Sequence, residues 1–104
     1  MYLTNANLSQ ADLRSADLPQ SNIEDADLSG SNLSGANFSD ARFDRSILSY
    51  ANLQNTSLFR SSLSFADLSN ATLDGADLSQ ASLSMANLAG ASFIGAYYDE
   101  NTHA

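Results

Sequence analysis

The 104-residue chain has no cysteine, no lysine, a single histidine (His103) and a single proline (Pro19). Without cysteine no disulfide can staple the fold, and one histidine gives zinc or haem nothing to build on, so neither metal nor cofactor is expected. The missing cysteines fit a reducing compartment without requiring one. No apolar run reaches the length of a signal peptide or membrane span, and Met1, Tyr2 and Leu3 lead straight into a regular pattern. The expectation is a soluble chain with no membrane contact. It belongs most naturally in the cytoplasm, or in the thylakoid lumen or periplasm if a signal segment has been cut away. Basic residues are also scarce: four arginines stand against twelve acidic residues, a net charge of −8. Affinity for nucleic acid comes from neutralising phosphates with Lys and Arg, so direct nucleic-acid binding is disfavoured and a basic partner protein fits better.

What the chain has is a period of five. From Leu3 to Tyr98 every fifth residue is large and apolar: fifteen Leu, with Ile23, Phe38, Phe43, Phe93 and Tyr98. Two positions before each stands a second column of Met1, fourteen Ala, four Ser (Ser21, Ser31, Ser46, Ser61) and Thr56. A helix cannot use this spacing, because five steps of about 100° scatter the Leu residues round the cylinder. A continuous strand cannot either, because five is odd and the side-chain period is two. The chain must therefore turn once per unit. Short extended sides joined by corners let every central residue point to a common axis while the small residue tucks in beside it, and circuits stacked about 4.8 Å apart can bond to one another.

Corner residues keep the same register. All five glycines (Gly30, Gly35, Gly75, Gly90, Gly95) fall two after a central residue, where a type II turn needs positive φ, and Asn5, Asn55 and Asn70 share that slot. Pro19 falls one after Leu18, the first inner position of such a turn. The corners at Ser15, Gly35, Asn55, Gly75 and Gly95 are expected to hold positive φ. Those at Arg45, Phe65 and Met85 are not, because bulky side chains disfavour that region.

Units such as ANLSQ, ADLRS, ADLSG, ANFSD and ADLSQ resemble the A(D/N)LXX motif of the pentapeptide-repeat family, and the resemblance runs through residues 1–100. It implies an all-β right-handed quadrilateral β-helix with four units per coil, hence about five coils, followed by a short tail at 101–104. The ending AYYDENT is similar to the C-terminal exit of many cyanobacterial members.

Candidate chemistry dissolves into this repeat. Asn or Asp precedes the central residue in eleven of twenty units. Recurrence at every circuit is what a scaffold does, and such short polar side chains bond local backbone at turns, whereas a catalytic site is singular. No Ser-His-Asp constellation can be assembled with His103 beside the C-terminus, so no enzyme activity is expected. Asn-X-Ser/Thr sequons at Asn7, Asn32, Asn37, Asn55 and Asn70 are by-products of the repeat.

The resemblance also implies a test for DNA mimicry, since some pentapeptide-repeat proteins protect DNA gyrase. Folding the sequence onto four sides by residue number modulo twenty gives net charges of −1, −2, −1 and −4. A duplex carries one charge per about 1.7 Å, a density this scatter does not offer. A gyrase-directed DNA mimic is therefore the alternative. The leading reading is a non-enzymatic interaction scaffold or regulatory adaptor in a cyanobacterium. Its candidate partner patch is Arg45, Ile47, Phe65 and Met85, outward positions where the motif is usually polar. Phe93, Tyr97 and Tyr98 are the candidate contacts of an end-to-end homodimer, because stacked circuits leave an apolar cross-section at each end.

Overall fold

A single parallel β-bridge per five-residue unit ties each side of the chain to the side twenty residues later, from Tyr2↔Asn22 to Asp77↔Tyr97, in a computed structural model that describes residues 1–102. Four units thus make one circuit. His103 and Ala104, half of the expected 101–104 tail, lie outside the described residues. The sides are too short to pair more than one residue at a time, which is why the sheet is built from isolated bridges instead of extended strands.

An account of backbone N–H groups explains the repeat better than propensity does, because a buried donor left unpaired is costly. In the unit 66–70, Asp67 N donates back to Ser46 O at 2.9 Å, while Leu68 N and Asn70 N donate forward to Asn87 O and Ala89 O at 2.8 Å each. Ala66 N closes the turn onto Leu63 O at 3.1 Å. One donor remains, Ser69 N, and the Asp67 carboxylate takes it at 3.0 Å. Five donors, five partners: the Asn/Asp column exists to satisfy the fifth. The same cap recurs from Asn7 to Ser9, Asn32 to Ser34, Asn52 to Gln54 and Asn87 to Ala89. At Ser62 and Ser92, two of the positions where the column holds serine instead, a carboxylate from the preceding circuit substitutes. Asp44 accepts from Ser64 N at 3.1 Å, and Asp74 accepts from Ile94 N at 3.0 Å. Asp17 has no such duty, because the residue two after it is Pro19 and carries no N–H; it accepts from the Asn37 amide instead.

The corners do not differ by column. Every fifth residue from Asn5 to Gly95 has positive φ, including Arg45 at 60°, Phe65 at 61° and Met85 at 60°. The expectation that Arg45, Phe65 and Met85 would avoid this region is overturned. The cause is closure: each circuit stacks on the next only if all corners bend alike; the Met85 corner is held by the turn bond from Ala86 N to Leu83 O at 3.0 Å, and corners from Asn5 to Gly75 also by a forward bond, such as Phe65 N to Ser84 O at 2.9 Å. A left-handed residue with a side chain costs roughly 1–2 kcal/mol, less than the bonds that misregistered circuits would lose. Relief should therefore be measurable. Gln80→Gly, at an exposed corner with φ 59°, is expected to stabilise by about 0.5 kcal/mol after the larger unfolded-state entropy of glycine is counted, read as a raised urea midpoint.

Inside, the apolar column and the small column are buried together from Ile23 to Leu83, with the Phe38 and Phe43 rings in edge-to-face contact at 5.1 Å. The buried serines of the small column have partners: Ser21, Ser31 and Ser61 donate to Leu18 O, Leu28 O and Leu58 O at 2.7 Å each. Ser46 is the exception, its Oγ buried without a hydrogen bond. Removing an unsatisfied hydroxyl removes a desolvation cost, so Ser46→Ala should be neutral or stabilising by up to about 1 kcal/mol, while Ser31→Ala should cost about 1 kcal/mol; paired urea melts decide it.

Towards the ends burial fades. Leu3, Leu8, Leu13 and Leu18 are half-buried, as are Leu88 and Phe93, and Tyr98, in register with the core column, is 67% exposed. At the C-terminal end an open hollow of about 350 Å³ is lined by Leu78, Leu83, Phe93, Tyr98 and Thr102. The tail closes one side of it, with Thr102 Oγ1 donating to Leu78 O at 2.8 Å and Thr102 N donating to Asp99 O at 3.0 Å.

Candidate partner-binding surface

With the backbone and the core accounted for, the remaining side chains lie on the outer surface and at the open ends. Among the described residues no three or more acidic, His or Cys side chains group as metal ligands, and no helix is long and apolar enough to cross a membrane.

The twenty-residue register places Asp25, Arg45, Phe65 and Met85 on one corner in successive circuits, and Asp27, Ile47, Asp67 and Asn87 on the adjoining side. Of the expected patch, Phe65 and Met85 are thus brought together, 62% and 73% exposed, and Ile47 lies round the corner at 42%. Arg45 turns away from them. Its Nε bonds Asp25 at 3.0 Å and its Nη2 bonds Glu24 at 3.1 Å, so it is engaged in an ion-pair cluster and does not stack on Phe65. Tyr50, 71% exposed at the far corner of the same side, joins the apolar surface although it stood outside the expected patch. The modulo-twenty register already placed it there. A cation–π contact does occur elsewhere, where the Arg60 guanidinium lies 4.9 Å from the centre of the Phe59 ring while pairing with Asp40 at 2.9 Å.

All four arginines are spent in such pairs: Arg14 with Asp12, Arg42 with Glu24, Arg45 with Glu24 and Asp25, and Arg60 with Asp40. The Asp25 carboxyl is held below the usual carboxylate range by its hydrogen bond from Arg45, and Asp12 likewise by Arg14. Asp27 is held low by the hydroxyl and backbone N–H of Ser29. Because these folded-state values are depressed, the stability they add is complete above the unfolded carboxylate range and is lost as pH falls through them. Asp25→Asn should therefore flatten the decline in urea midpoint seen between about pH 5 and pH 3 in the parent.

The chain matches the pentapeptide repeats family in eight copies, over residues 2–35, 36–75 and 73–97. Among solved structures it is similar to a pentapeptide repeat protein from Nostoc PCC 7120, at 38% identity and a TM-score of 0.60, covering 93% of this chain and 72% of that one. It is similar also to a pentapeptide repeat protein of the Arabidopsis thaliana thylakoid lumen, at 28% identity and a TM-score of 0.71 over 90% of this chain. A third is HetL, a pentapeptide repeat protein involved in heterocyst differentiation regulation in Nostoc sp. strain PCC 7120, at 29% identity and a TM-score of 0.64 over 98% of this chain. The chain spans 59% of the length of each of the last two. No curated protein matches it. The unbroken period of five, the twenty-residue bridging and the family match together show that this chain belongs to the pentapeptide repeat family.

Proposed function

We propose that the chain is a non-enzymatic interaction scaffold, a regulatory adaptor of cyanobacterial type, that binds a protein partner on the outside of a right-handed quadrilateral β-helix of about five coils spanning residues 1–100. The observation that carries this is the exposure of Phe65 and Met85 on a scaffold whose core is filled without them. Ile47 extends the patch onto the adjoining side, and Arg45, paired with Glu24 and Asp25, borders it. The cyanobacterial likenesses, HetL among them, support the adaptor reading. Of the recurring carboxylates, Asp27, Asp67 and Asp77 each give one oxygen to capping backbone, which favours a scaffold over acid–base chemistry.

The test is the Phe65→Ser, Met85→Ser double variant. Its melting temperature should change little, because the two side chains add little to the buried core, while capture of a partner from the lysate of the source organism should be lost. A lowered melting temperature with unchanged capture would mean that the two side chains act only as a ladder between circuits. A gyrase-directed DNA mimic is the weaker alternative, since its most acidic side is interrupted by Arg60, itself paired with Asp40. A supercoiling assay with purified gyrase separates the two readings. The hollow at the C-terminal end, lined by Phe93 and Tyr98, with Tyr97 exposed on the adjoining outer side, supports homodimerisation there; a sedimentation mass that stays monomeric across the concentration range would reject it.

A further inference from the structure

The side between the corners at Phe65/Met85 and Tyr50 combines two features that constrain what can bind it. The first is that its bridging backbone groups are already paired between circuits. Ile47 N donates to Ala26 O at 2.9 Å and Leu48 N to Asp67 O at 2.7 Å, and the same pairs repeat in the circuits on either side. A segment arriving at this face meets only the Ser49 N–H, which Ile47 has no oxygen to cap, and isolated corner carbonyls, with no row of free donors and acceptors, so it cannot be added as a strand. It must satisfy its own backbone, which a helix does and an extended peptide does not.

The second feature is charge. Asp27 and Asp67 stand one circuit before and one circuit after Ile47 in a single column. Each uses Oδ1 to hold the following serine, Ser29 at 3.0 and 2.7 Å and Ser69 at 3.0 and 2.6 Å, and neither Oδ2 takes part in these bonds. No arginine of the chain pairs with either, since all four are engaged elsewhere. Two carboxylates about 10 Å apart, at about 4.8 Å per circuit, therefore bracket one exposed isoleucine. On an α-helix, residues i and i+7 fall on one face and are separated by about 10.5 Å along its axis.

Resting on the reading that the outer surface binds a protein, we propose that this side docks a cationic amphipathic helix lying along the solenoid axis. Basic residues at i and i+7 meet Asp27 and Asp67, apolar residues at i+3 and i+4 meet Ile47, and Tyr50 and Phe65 with Met85 wall the two edges. A second copy of this chain is not the occupant: it carries no lysine, and its net charge of −8 repels.

The probe is a helix-stabilised synthetic peptide with lysines at i and i+7 and leucines at i+3 and i+4, measured by fluorescence anisotropy against the full chain. The comparison peptide has the same composition with its lysines moved to i and i+5. The designed spacing should bind at least tenfold more tightly. Asp27→Asn with Asp67→Asn should weaken it tenfold or more, and that variant keeps its fold because Asn7 and Asn87 occupy the same column and make the same cap. Asp17→Asn with Asp77→Asn removes the same charge from another side and should leave binding within twofold. Equal binding of the two peptides, or equal weakening by the two variants, overturns the proposal in favour of unspecific attraction. If the peptide fails while partner capture from lysate still depends on Phe65 and Met85, the axial helix is wrong and the interaction surface stands; if both fail, both are wrong.

Discussion

Phe38→Ala is expected to cost about 3–5 kcal/mol, a large part of the stability of a domain this size, and to be read as a collapse of the urea midpoint. Phe38 is fully buried, and its ring meets that of Phe43 edge-to-face at 5.1 Å and an interplanar angle of 72°. The core is a narrow column one side chain deep from each side, so a vacancy cannot be refilled from a second layer. Moving a backbone side inward would break the bonds that hold it to neighbouring circuits, Phe38 N to Ser57 O at 2.8 Å and Asn37 N to Ala16 O at 2.8 Å. The cavity therefore stays open. Phe43→Leu, which restores the residue of most other units, should cost only about 1–2 kcal/mol. Equal losses from the two variants would show that the aromatic pair is not the weak point of the core.

Ala51→Leu is expected to cost about 3 kcal/mol, at the upper end of what overpacking does. Ala51 is buried at a corner, its N–H closes the turn onto Leu48 O at 3.0 Å, and its own carbonyl accepts from Thr72 N at 3.0 Å. A longer side chain there has no free rotamer towards solvent and must push the corner outward, loosening both bonds. Because each circuit bonds only to its neighbours, that displacement passes to the next circuit. Ala51→Ser should lose less than about 1 kcal/mol, since Ser31 occupies the same column one circuit earlier and its hydroxyl finds the Leu28 carbonyl. An Ala51→Leu variant with the parent's midpoint would show that the small column reflects composition and not close approach.

A period of five was enough to rule out helix and continuous strand, and to name the inward residues from Ile23 to Leu83, because neither 3.6 nor 2 divides it. The role of the Asn/Asp column was legible as well, since short polar side chains at turns have few other things to do. Stacking modulo twenty sets Asp25 beside Arg45 and Asp40 beside Arg60, which pair in the fold, although the twenty itself rested on family resemblance until the bridges showed it. Other features were decided only when the circuits closed on one another. Local preference argued against positive φ at Arg45, Phe65 and Met85, but a corner belongs to two neighbouring circuits at once, and their shared bonds outweigh one residue's preference. The same holds for Asp44 and Asp74, which cap donors twenty residues away because Ser62 and Ser92 leave those donors free. It holds too for Tyr98, in phase with the core column yet exposed, because burial needs a neighbouring circuit on both sides and not only the right place in the repeat.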